Sequence, residues 1–223
     1  MQEMKILFIG KEGDNYSKIA AGFLQLHFKE VIVVFSDRNN PIPDYLYDWE
    51  GDLFISYLSQ WIIPGAVLQK ARWGAINFHP GTPEYPGIGC TNFAVYNKEK
   101  EFGITCHHML AKVDSGPIIA VKRFPVFEKD TVYSITQRCY TEIQHLFYEL
   151  VNSILSNQPL PQSSEIWKRK PYTRKQLNKL CELTPDMDKE EIALRIKATT
   201  YGDKIWAYMK SGEDITSYSS HKK

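Results

Sequence analysis

The chain has 223 residues and a formal net charge of +1, with 27 lysine and arginine residues against 26 aspartate and glutamate residues. This length can bury one good core with a modest appendage, and the near-neutral charge gives no strong attraction to nucleic acid. The N-terminus lacks the apolar stretch of a secretory signal, and no apolar run is long enough to span a bilayer. We therefore expect a cytoplasmic protein without membrane insertion.

Short apolar runs alternate with helical patterns through the first half of the chain. Predicted helices cover residues 18–29 and 66–72, and a shorter one is expected before Gly51. Predicted buried strands cover residues 5–10, 31–35, 53–57 and 74–79. This alternation predicts a doubly wound α/β fold with a mostly parallel sheet, in which ligands bind beyond the carboxyl ends of the strands.

Residues 74–92, GAINFHPGTPEYPGIGCTN, join a predicted strand to a stiff loop. Asn77 and His79 are two positions apart, so in a strand they project from the same face. The prolines and glycines that follow prevent regular structure. A carboxamide and an imidazole side by side at a strand end form a common kind of active-site floor, although a histidine in this place is just as often purely structural.

The second half of the chain begins with a predicted helix at 91–97 and a strand at 103–110. A strand at 117–126 then closes a hairpin around a loop that carries Asp114, and a long helix with an apolar stripe follows at 130–156. His107 and His108 would point to opposite faces of their strand, so they cannot ligate one metal ion together. The four cysteines are scattered without metal-ligand spacing and predict reduced thiols.

From residue 157 the composition changes to proline and serine, which predicts a linker. We therefore divide the chain into a main domain, residues 1–156, and an extension, residues 157–223. The extension holds a basic stretch at 167–179, a helix at 188–199 and a small hairpin at 207–218, and it ends in a frayed tail. The basic stretch, with Lys170 and Tyr172, is either a solvated face or a surface that neutralises phosphate.

The sequence Asn77-Phe78-His79-Pro80-Gly81, followed further on by residues 113–119, VDSGPII, resembles the formyltransferases that use N10-formyltetrahydrofolate. The resemblance covers about residues 4–150 and implies a Rossmann-like fold with Asn77, His79 and Asp114 as a catalytic trio. Asn77 and His79 would donate hydrogen bonds to the oxygen on which charge develops. Asp114 would orient His79 or relay a proton, and His79 is equally a candidate base for the attacking amine.

The same resemblance implies where the two substrates bind. Folate would lie against the segment after the third strand, paired through backbone groups, and against the loop of Asp114; the residues are Gln60, Trp61, Ile62, Ile63, Lys112 and Val113. The side chains of Trp61, Ile62 and Ile63 are also explained by core packing, and both roles are compatible. The acceptor would meet Lys11, Asn15, Tyr16, Tyr85, Gly87, Cys90 and Thr91, with Lys170 and Tyr172 from the basic stretch. No metal is required.

The loop 83–92 is most similar to that of the nucleotide-sugar branch of this family. Residues 10–17 depart from the phosphate-binding pattern of glycinamide ribonucleotide formyltransferases, and the neutral charge and missing barrel domain disfavour methionyl-tRNA. We expect dTDP-4-amino-4,6-dideoxy-D-glucose as acceptor, in surface polysaccharide (O-antigen) synthesis. GDP-perosamine and dTDP-linked 3-amino sugars remain alternatives; glycinamide ribonucleotide, or a non-catalytic nucleotide-binding module, is more distant. A homodimer is expected, because a hairpin with Ile205, Trp206 and Tyr208 is poorly buried alone.

Overall fold

The computed structural model describes residues 2–211 and 214–217. Its main sheet has six strands in the order β2-β1-β3-β4-β5-β6. They are β1 (Gln2–Lys11), β2 (Phe28–Ser36), β3 (Gly51–Tyr57), β4 (Ala71–His79), β5 (Glu101–His108) and β6 (Ile118–Pro125). The first four strands pair in parallel, while β5 pairs antiparallel with both of its neighbours, β4 and β6. The predicted α/β fold with a mostly parallel sheet, and the hairpin around Asp114, are confirmed.

Within the described residues, six helices pack around this sheet, and side-chain caps mark where several of them begin. They are α1 (Asn15–His27), α2 (Gly65–Leu68), α3 (Cys90–Tyr96), α4 (Val132–Leu155), α5 (Arg174–Cys181) and α6 (Lys189–Ala198). Asp14 caps α1, and Thr131 forms a reciprocal capping box with Ser134 at α4. The predicted helix at 66–72 is too long, because β4 already begins at Ala71. A 3-10 turn at Asp44–Leu46 replaces the helix expected before Gly51.

The core lies on both faces of the sheet. On one face Phe8 packs with Leu24 of α1 and Phe147 of α4. On the other, Leu7 and Ile9 pack against the short elements that precede β3 and β4. The central strand β1 is therefore buried on both sides, which explains its unbroken apolar run at residues 6–9.

The residues beyond 156 pack onto the same core. Tyr172, Leu177 and Leu180 belong to the main hydrophobic cluster, so the predicted boundary at 156/157 is not a break in packing. Five short strands follow α5: β7 (Glu182–Leu183), β8 (Thr200–Tyr201), β9 (Lys204–Ile205), β10 (Tyr208–Ser211) and β11 (Asp214–Ser217). Strands β10 and β11 form the hairpin expected near the C-terminus; Tyr218 and the tail expected to fray lie outside the described residues.

Within residues 2–211 and 214–217, no helix combines the length and the apolar character needed to cross a bilayer.

Candidate active site

The polar side chains singled out in the sequence meet where β4 ends. Asn77 and His79 are the last polar residues of β4. Antiparallel pairing with β5 sets His107 directly opposite Asn77, and the Asn77 carboxamide nitrogen lies 3.1 Å from His107 Nε2. The loop between β5 and β6 then brings Asp114 back over both strands. Four side chains from three segments thus meet. We call His79, Asp114 and His107 the His–Asp–His group, and Asn77 lies beside it.

Asp114 is the centre of this group. One carboxylate oxygen, Oδ2, lies 3.4 Å from His79 Nδ1 and accepts the backbone N–H of Gly87 at 2.7 Å. The other oxygen, Oδ1, lies 3.2 Å from His107 Nε2. The exposed fractions are only 8% for Asp114, 5% for His79 and 2% for His107. The carboxylate is thus removed from water and held by three protein groups.

The second nitrogen of each imidazole is held by a backbone carbonyl. His79 Nε2 lies 2.9 Å from the Tyr85 oxygen, and His107 Nδ1 lies 2.8 Å from the His108 oxygen. A carbonyl can only accept, so each of these nitrogens carries the hydrogen. The nitrogen that faces Asp114 is therefore the one without a hydrogen in a neutral ring. Its contact with the carboxylate is attractive only when a proton lies between the two atoms, which makes this group a place to store a proton.

The electrostatic balance favours the ionised carboxylate. Burial raises the pKa of Asp114, but the charge of His79 and the hydrogen bonds from His107 and Gly87 outweigh burial and lower this pKa to about 2. The backbone of Asp114 has φ +40°, a region that a residue with a side chain seldom adopts. Strained backbone at a cluster of buried polar groups is typical of functional sites.

Two glycines allow the backbone to approach this group closely. Gly87 has φ +89°, and a Cβ there would lie 2.3 Å from the Tyr172 oxygen. A Cβ at Gly81 would lie 2.5 Å from His79 Nε2 and 2.9 Å from Cys90 Cβ. Gly81 and Gly87 therefore fix the loop that holds His79 and Asp114, and neither position accepts a side chain without displacing the site.

His107 is the site residue that sequence reasoning missed. In the sequence, His107 stands out only as half of a histidine pair with His108, whose side chains point to opposite faces. Within residues 2–211 and 214–217, no group of three or more histidine, cysteine or acidic side chains could hold a metal ion. The sequence offered one signal, the alternation of side chains along a strand. Because His107 and His108 point to opposite faces of β5, one of them must share a face with Asn77 on the paired strand. Choosing His107 over His108 requires the β4–β5 register, which the sequence does not state.

The segment predicted to bind folate meets the loop that carries Asp114. It follows β3 and begins at Leu58, which has φ +56°. It ends at Gly65, where a Cβ built on the glycine would lie 3.4 Å from the Cβ of Ala111 in the Asp114 loop. Ile62 and Val113 expose their apolar side chains on these two loops. Gln60 and Trp61 anchor the segment, since the Trp61 indole N–H reaches the Asp37 and Asn40 oxygens at 2.8 Å each. Ile63 is buried in the core, and Lys112 is exposed.

The residues predicted to meet the acceptor fall into two sets. Lys11 and Tyr16 face helix α4: Lys11 Nζ lies 3.2 Å from the Tyr140 hydroxyl, and the Tyr16 hydroxyl lies 3.2 Å from Thr141 Oγ1. Asn15, the first residue of α1, and Lys170 are exposed. Asn15 and Lys170 are therefore accessible to a ligand, whereas Lys11 and Tyr16 are half-buried against α4.

The second set is occupied within the protein. The Tyr172 ring is buried and stacks on Phe93 at 3.8 Å, and the buried Tyr85 donates its hydroxyl to Glu99 at 2.6 Å. Gly87 uses its N–H on Asp114, and Thr91 is buried 3.2 Å from Thr136 Oγ1. Cys90 is buried beside Pro80, and burial raises the pKa of its thiol to about 12. The structure thus places these side chains in the frame of the site, and Cys90 stays a neutral thiol at physiological pH.

Comparison with known proteins places the chain in a family. The model of the formyl transferase family matches residues 38–151, just over half of the chain, so this protein belongs to that family. It is 34% identical over 92 residues to GDP-perosamine N-formyltransferase of Brucella melitensis biotype 1, an alignment that covers 41% of this chain and 36% of that protein. Alignments with four other curated relatives cover 20% to 41% of their lengths. The chain thus spans less than half the length of these curated relatives.

Solved structures share the fold over nearly the whole chain. A sugar N-formyltransferase from Shewanella sp FDAARGOS_354 superposes with a TM-score of 0.77 at 20% identity and covers 96% of both chains. An N-formyltransferase from Helicobacter canadensis, in complex with folinic acid and dTDP-3-aminofucose, superposes with a TM-score of 0.69 at 21% identity; the match covers 87% of this chain and 80% of that one. At these identities the likeness establishes the fold.

Proposed function

We propose that this protein is an enzyme that transfers the formyl group of N10-formyltetrahydrofolate to the amino group of a nucleotide-linked amino-deoxy sugar. One observation carries the proposal: Asn77 and a dry His79–Asp114–His107 group meet at the end of β4 in a chain of the formyl transferase family. A hydrogen-bond donor beside a buried proton store is what moving an acyl group to an amine requires.

The formyl donor fits the loops after β3 and β5. Ile62 and Val113 would cover the flat rings, while the backbone of residues 58–64 would pair with the ring edge. Both loops border Asp114, as the approach of Gly65 to Ala111 indicates, so a donor held there would present its formyl carbon to Asn77. Relatives in this fold have been crystallised with folinic acid or tetrahydrofolic acid, which supports a folate as the formyl donor.

The chemistry follows from the side chains. A carboxamide nitrogen carries two hydrogens, and one of those on Asn77 would bond the formyl oxygen as charge develops on it. Such a donor in a dry site is worth on the order of 3 kcal/mol. The attacking amine loses a proton and the departing nitrogen gains one. The position between His79 Nδ1 and Asp114 Oδ2 would hold that proton in the interval.

The acceptor side favours a phosphorylated sugar. Lys11 at the end of β1 and exposed Lys170 offer positive charge for a diphosphate, and Tyr16 and Tyr140 offer aromatic faces near Lys11. Among the possible acceptors we favour dTDP-4-amino-4,6-dideoxy-D-glucose and a role in O-antigen synthesis. GDP-perosamine and dTDP-linked 3-amino sugars are the alternatives, since relatives are described with both.

The decisive experiment is an acceptor panel. The protein is incubated with N10-formyltetrahydrofolate and, in separate reactions, a dTDP-4-amino sugar, a dTDP-3-amino sugar, GDP-perosamine and glycinamide ribonucleotide. Mass spectrometry then follows the gain of one formyl group. We expect the dTDP-4-amino sugar to turn over fastest. Formylation of glycinamide ribonucleotide alone would refute the nucleotide-sugar assignment, and folate binding without transfer to any acceptor would support a non-catalytic module.

We further propose that the enzyme works as a homodimer. Trp206 exposes 47% of its surface and stacks on Tyr201, which in turn packs edge-on against the exposed Tyr133. These three rings form one aromatic patch around the β8–β9 hairpin, and a second copy of the chain would bury it. An exposed patch of large apolar rings is typical of a protein interface.

A further inference from the structure

The segment 163–172, which we call the strap, crosses over the active site and lies outside the part matched by the family model. Trp167 of the strap reaches both imidazoles of the His–Asp–His group. Its ring centroid lies 5.0 Å from that of His107 at 87°, and 5.9 Å from that of His79 at 72°. Both contacts are edge-to-face, the arrangement that aromatic pairs prefer.

The strap is pinned to the two loops that build the site. The Trp167 indole N–H donates to the Gly116 oxygen at 2.8 Å, next to the Asp114 loop. The backbone N–H of Lys168 donates to the Pro83 oxygen at 3.0 Å, and that of Tyr172 to the Pro86 oxygen at 2.8 Å. Trp167 is therefore held at a fixed place relative to both loops, and its contact with the histidines is not that of a free side chain.

A ring in this place affects the chemistry through the histidines. The contacts between Asp114 and the imidazoles are strong because the group is dry, and water entering the site would weaken each of them. We propose that Trp167 is a positioning residue for formyl transfer: its indole keeps water away from His79 and His107 and fixes the orientation of both rings. The kinetic part of this inference rests on the proposed function; the shielding part does not.

The shielding is tested by chemical labelling without any substrate. Diethyl pyrocarbonate acylates accessible imidazoles, and peptide mass spectrometry gives a labelling rate for each histidine. In Trp167→Ala we expect the rates of His79 and His107 to rise at least about tenfold, while exposed His145 serves as the internal standard. Trp73→Ala is the matched control, because Trp73 is an exposed tryptophan at the start of β4. Unchanged rates at both histidines in a folded Trp167→Ala protein would overturn the proposal.

A second variant covers the case in which the alanine protein does not fold. Trp167→Phe keeps an aromatic ring but removes the hydrogen bond to Gly116, so it should fold and label at a rate between the wild type and full exposure. Circular dichroism and thermal melting identify the folded variants. Labelling of Trp167→Phe at the wild-type rate would also count against the positioning role.

The kinetic arm separates positioning from substrate contact. We expect kcat of Trp167→Ala to fall at least about tenfold, with KM for donor and acceptor within about threefold of wild type, and Trp167→Phe to recover most of the loss. A raised KM with unchanged kcat would show that Trp167 contributes to substrate binding, and this result would refute its positioning role. If the wild-type protein formylates no amino sugar, the proposed function fails, while the labelling result still decides the shielding.

Discussion

Asp114 joins the two histidines, and its contacts explain why a carboxylate can stay ionised in a dry site. Each of its oxygens has an imidazole nitrogen within 3.4 Å, and Gly87 adds a backbone N–H. A residue that binds three groups at once controls the orientation of all three. The predictions for single residues follow from this arrangement.

We expect Asn77→Ala and Asp114→Asn each to lower kcat by about two to three orders of magnitude. The first removes the donor to the formyl oxygen, and the second removes the charge that holds the proton. The proposed nucleotide contacts, Lys11 and Lys170, are unchanged in both variants, so nucleotide affinity, measured by calorimetry, should remain nearly intact. Turnover close to wild type in either variant would show that these residues are not catalytic.

We expect His107 to be needed for turnover. In His107→Gln a side chain that can hydrogen-bond remains, but it cannot carry the proton toward Asp114. The loss of one charge-assisted hydrogen bond, about 1.5–3 kcal/mol, corresponds to a fall in kcat of about 10- to 100-fold. His145→Gln, at an exposed position of α4, should behave as wild type. If both variants keep full activity, His107 has no role in catalysis and is only a structural residue of β5.

The lowered pKa of Asp114 predicts a pH dependence of stability. The folded pKa of about 2 lies below the ordinary value of 3.8, so ionisation stabilises the folded protein above pH 4, and this stabilisation is lost as the pH falls toward 2. Its size is about 2 kcal/mol. Urea unfolding at several pH values should show wild type losing this amount relative to Asp114→Asn between pH 5 and pH 2. Parallel stability curves for the two proteins would contradict the assignment.

At the scale of elements, the site depends on the meeting of β4, β5 and the loop that follows β4. The β4–β5 register brings His107 to Asn77, and the loop brings Gly87 to Asp114. Gly87 is the point of closest approach, because the chain has positive φ there and touches the strap at Tyr172.

Gly87→Ala should therefore damage stability and activity together. The positive φ and the clash with the Tyr172 oxygen should cost more than about 2 kcal/mol of unfolding free energy, and displacement of the N–H from Asp114 should lower kcat. Gly22→Ala is the matched control: a Cβ there meets nothing within 4 Å inside α1. It should stabilise the protein by up to about 1 kcal/mol. Thermal melts of both variants check this; equal melting temperatures would refute the close approach at Gly87.

At the scale of the whole molecule, the C-terminal residues are part of the main fold rather than an attachment. Leu177 and Leu180 of α5 lie in the main core, and the strap supplies Trp167 to the active site. The β8–β9 hairpin, by contrast, leaves aromatic surface exposed. This division fits the proposed roles, in which the strap serves the site and the hairpin serves assembly.

Trp206→Asp should weaken a dimer that forms through this hairpin. A charge in place of the exposed ring should raise the dissociation constant at least about tenfold, as expected for a central aromatic residue of an interface. Trp73→Asp places the same change on an exposed ring of β4 and should leave assembly unchanged. Sedimentation velocity over a range of concentrations measures both. A wild-type protein that stays monomeric at high concentration would refute the homodimer.

The sequence by itself determined the features that depend on neighbouring residues. Apolar runs located the strands, the two-residue spacing put Asn77 and His79 on one face, and the hairpin around Asp114 followed from its flanking strands. The family followed from the same two motifs. These features are local because side-chain direction repeats every two residues in a strand and every 3.6 in a helix.

Only the tertiary structure decided which distant residues complete the site. His107 lies 30 positions from Asn77, Asp114 lies 27 from Gly87, and Trp167 lies 51 from Gly116. Strand register, and the path of an irregular segment such as the strap, are set by the summed packing of the whole core rather than by any short pattern. The sequence could therefore name the chemistry of this site, while the folded chain decided which second histidine and which tryptophan take part.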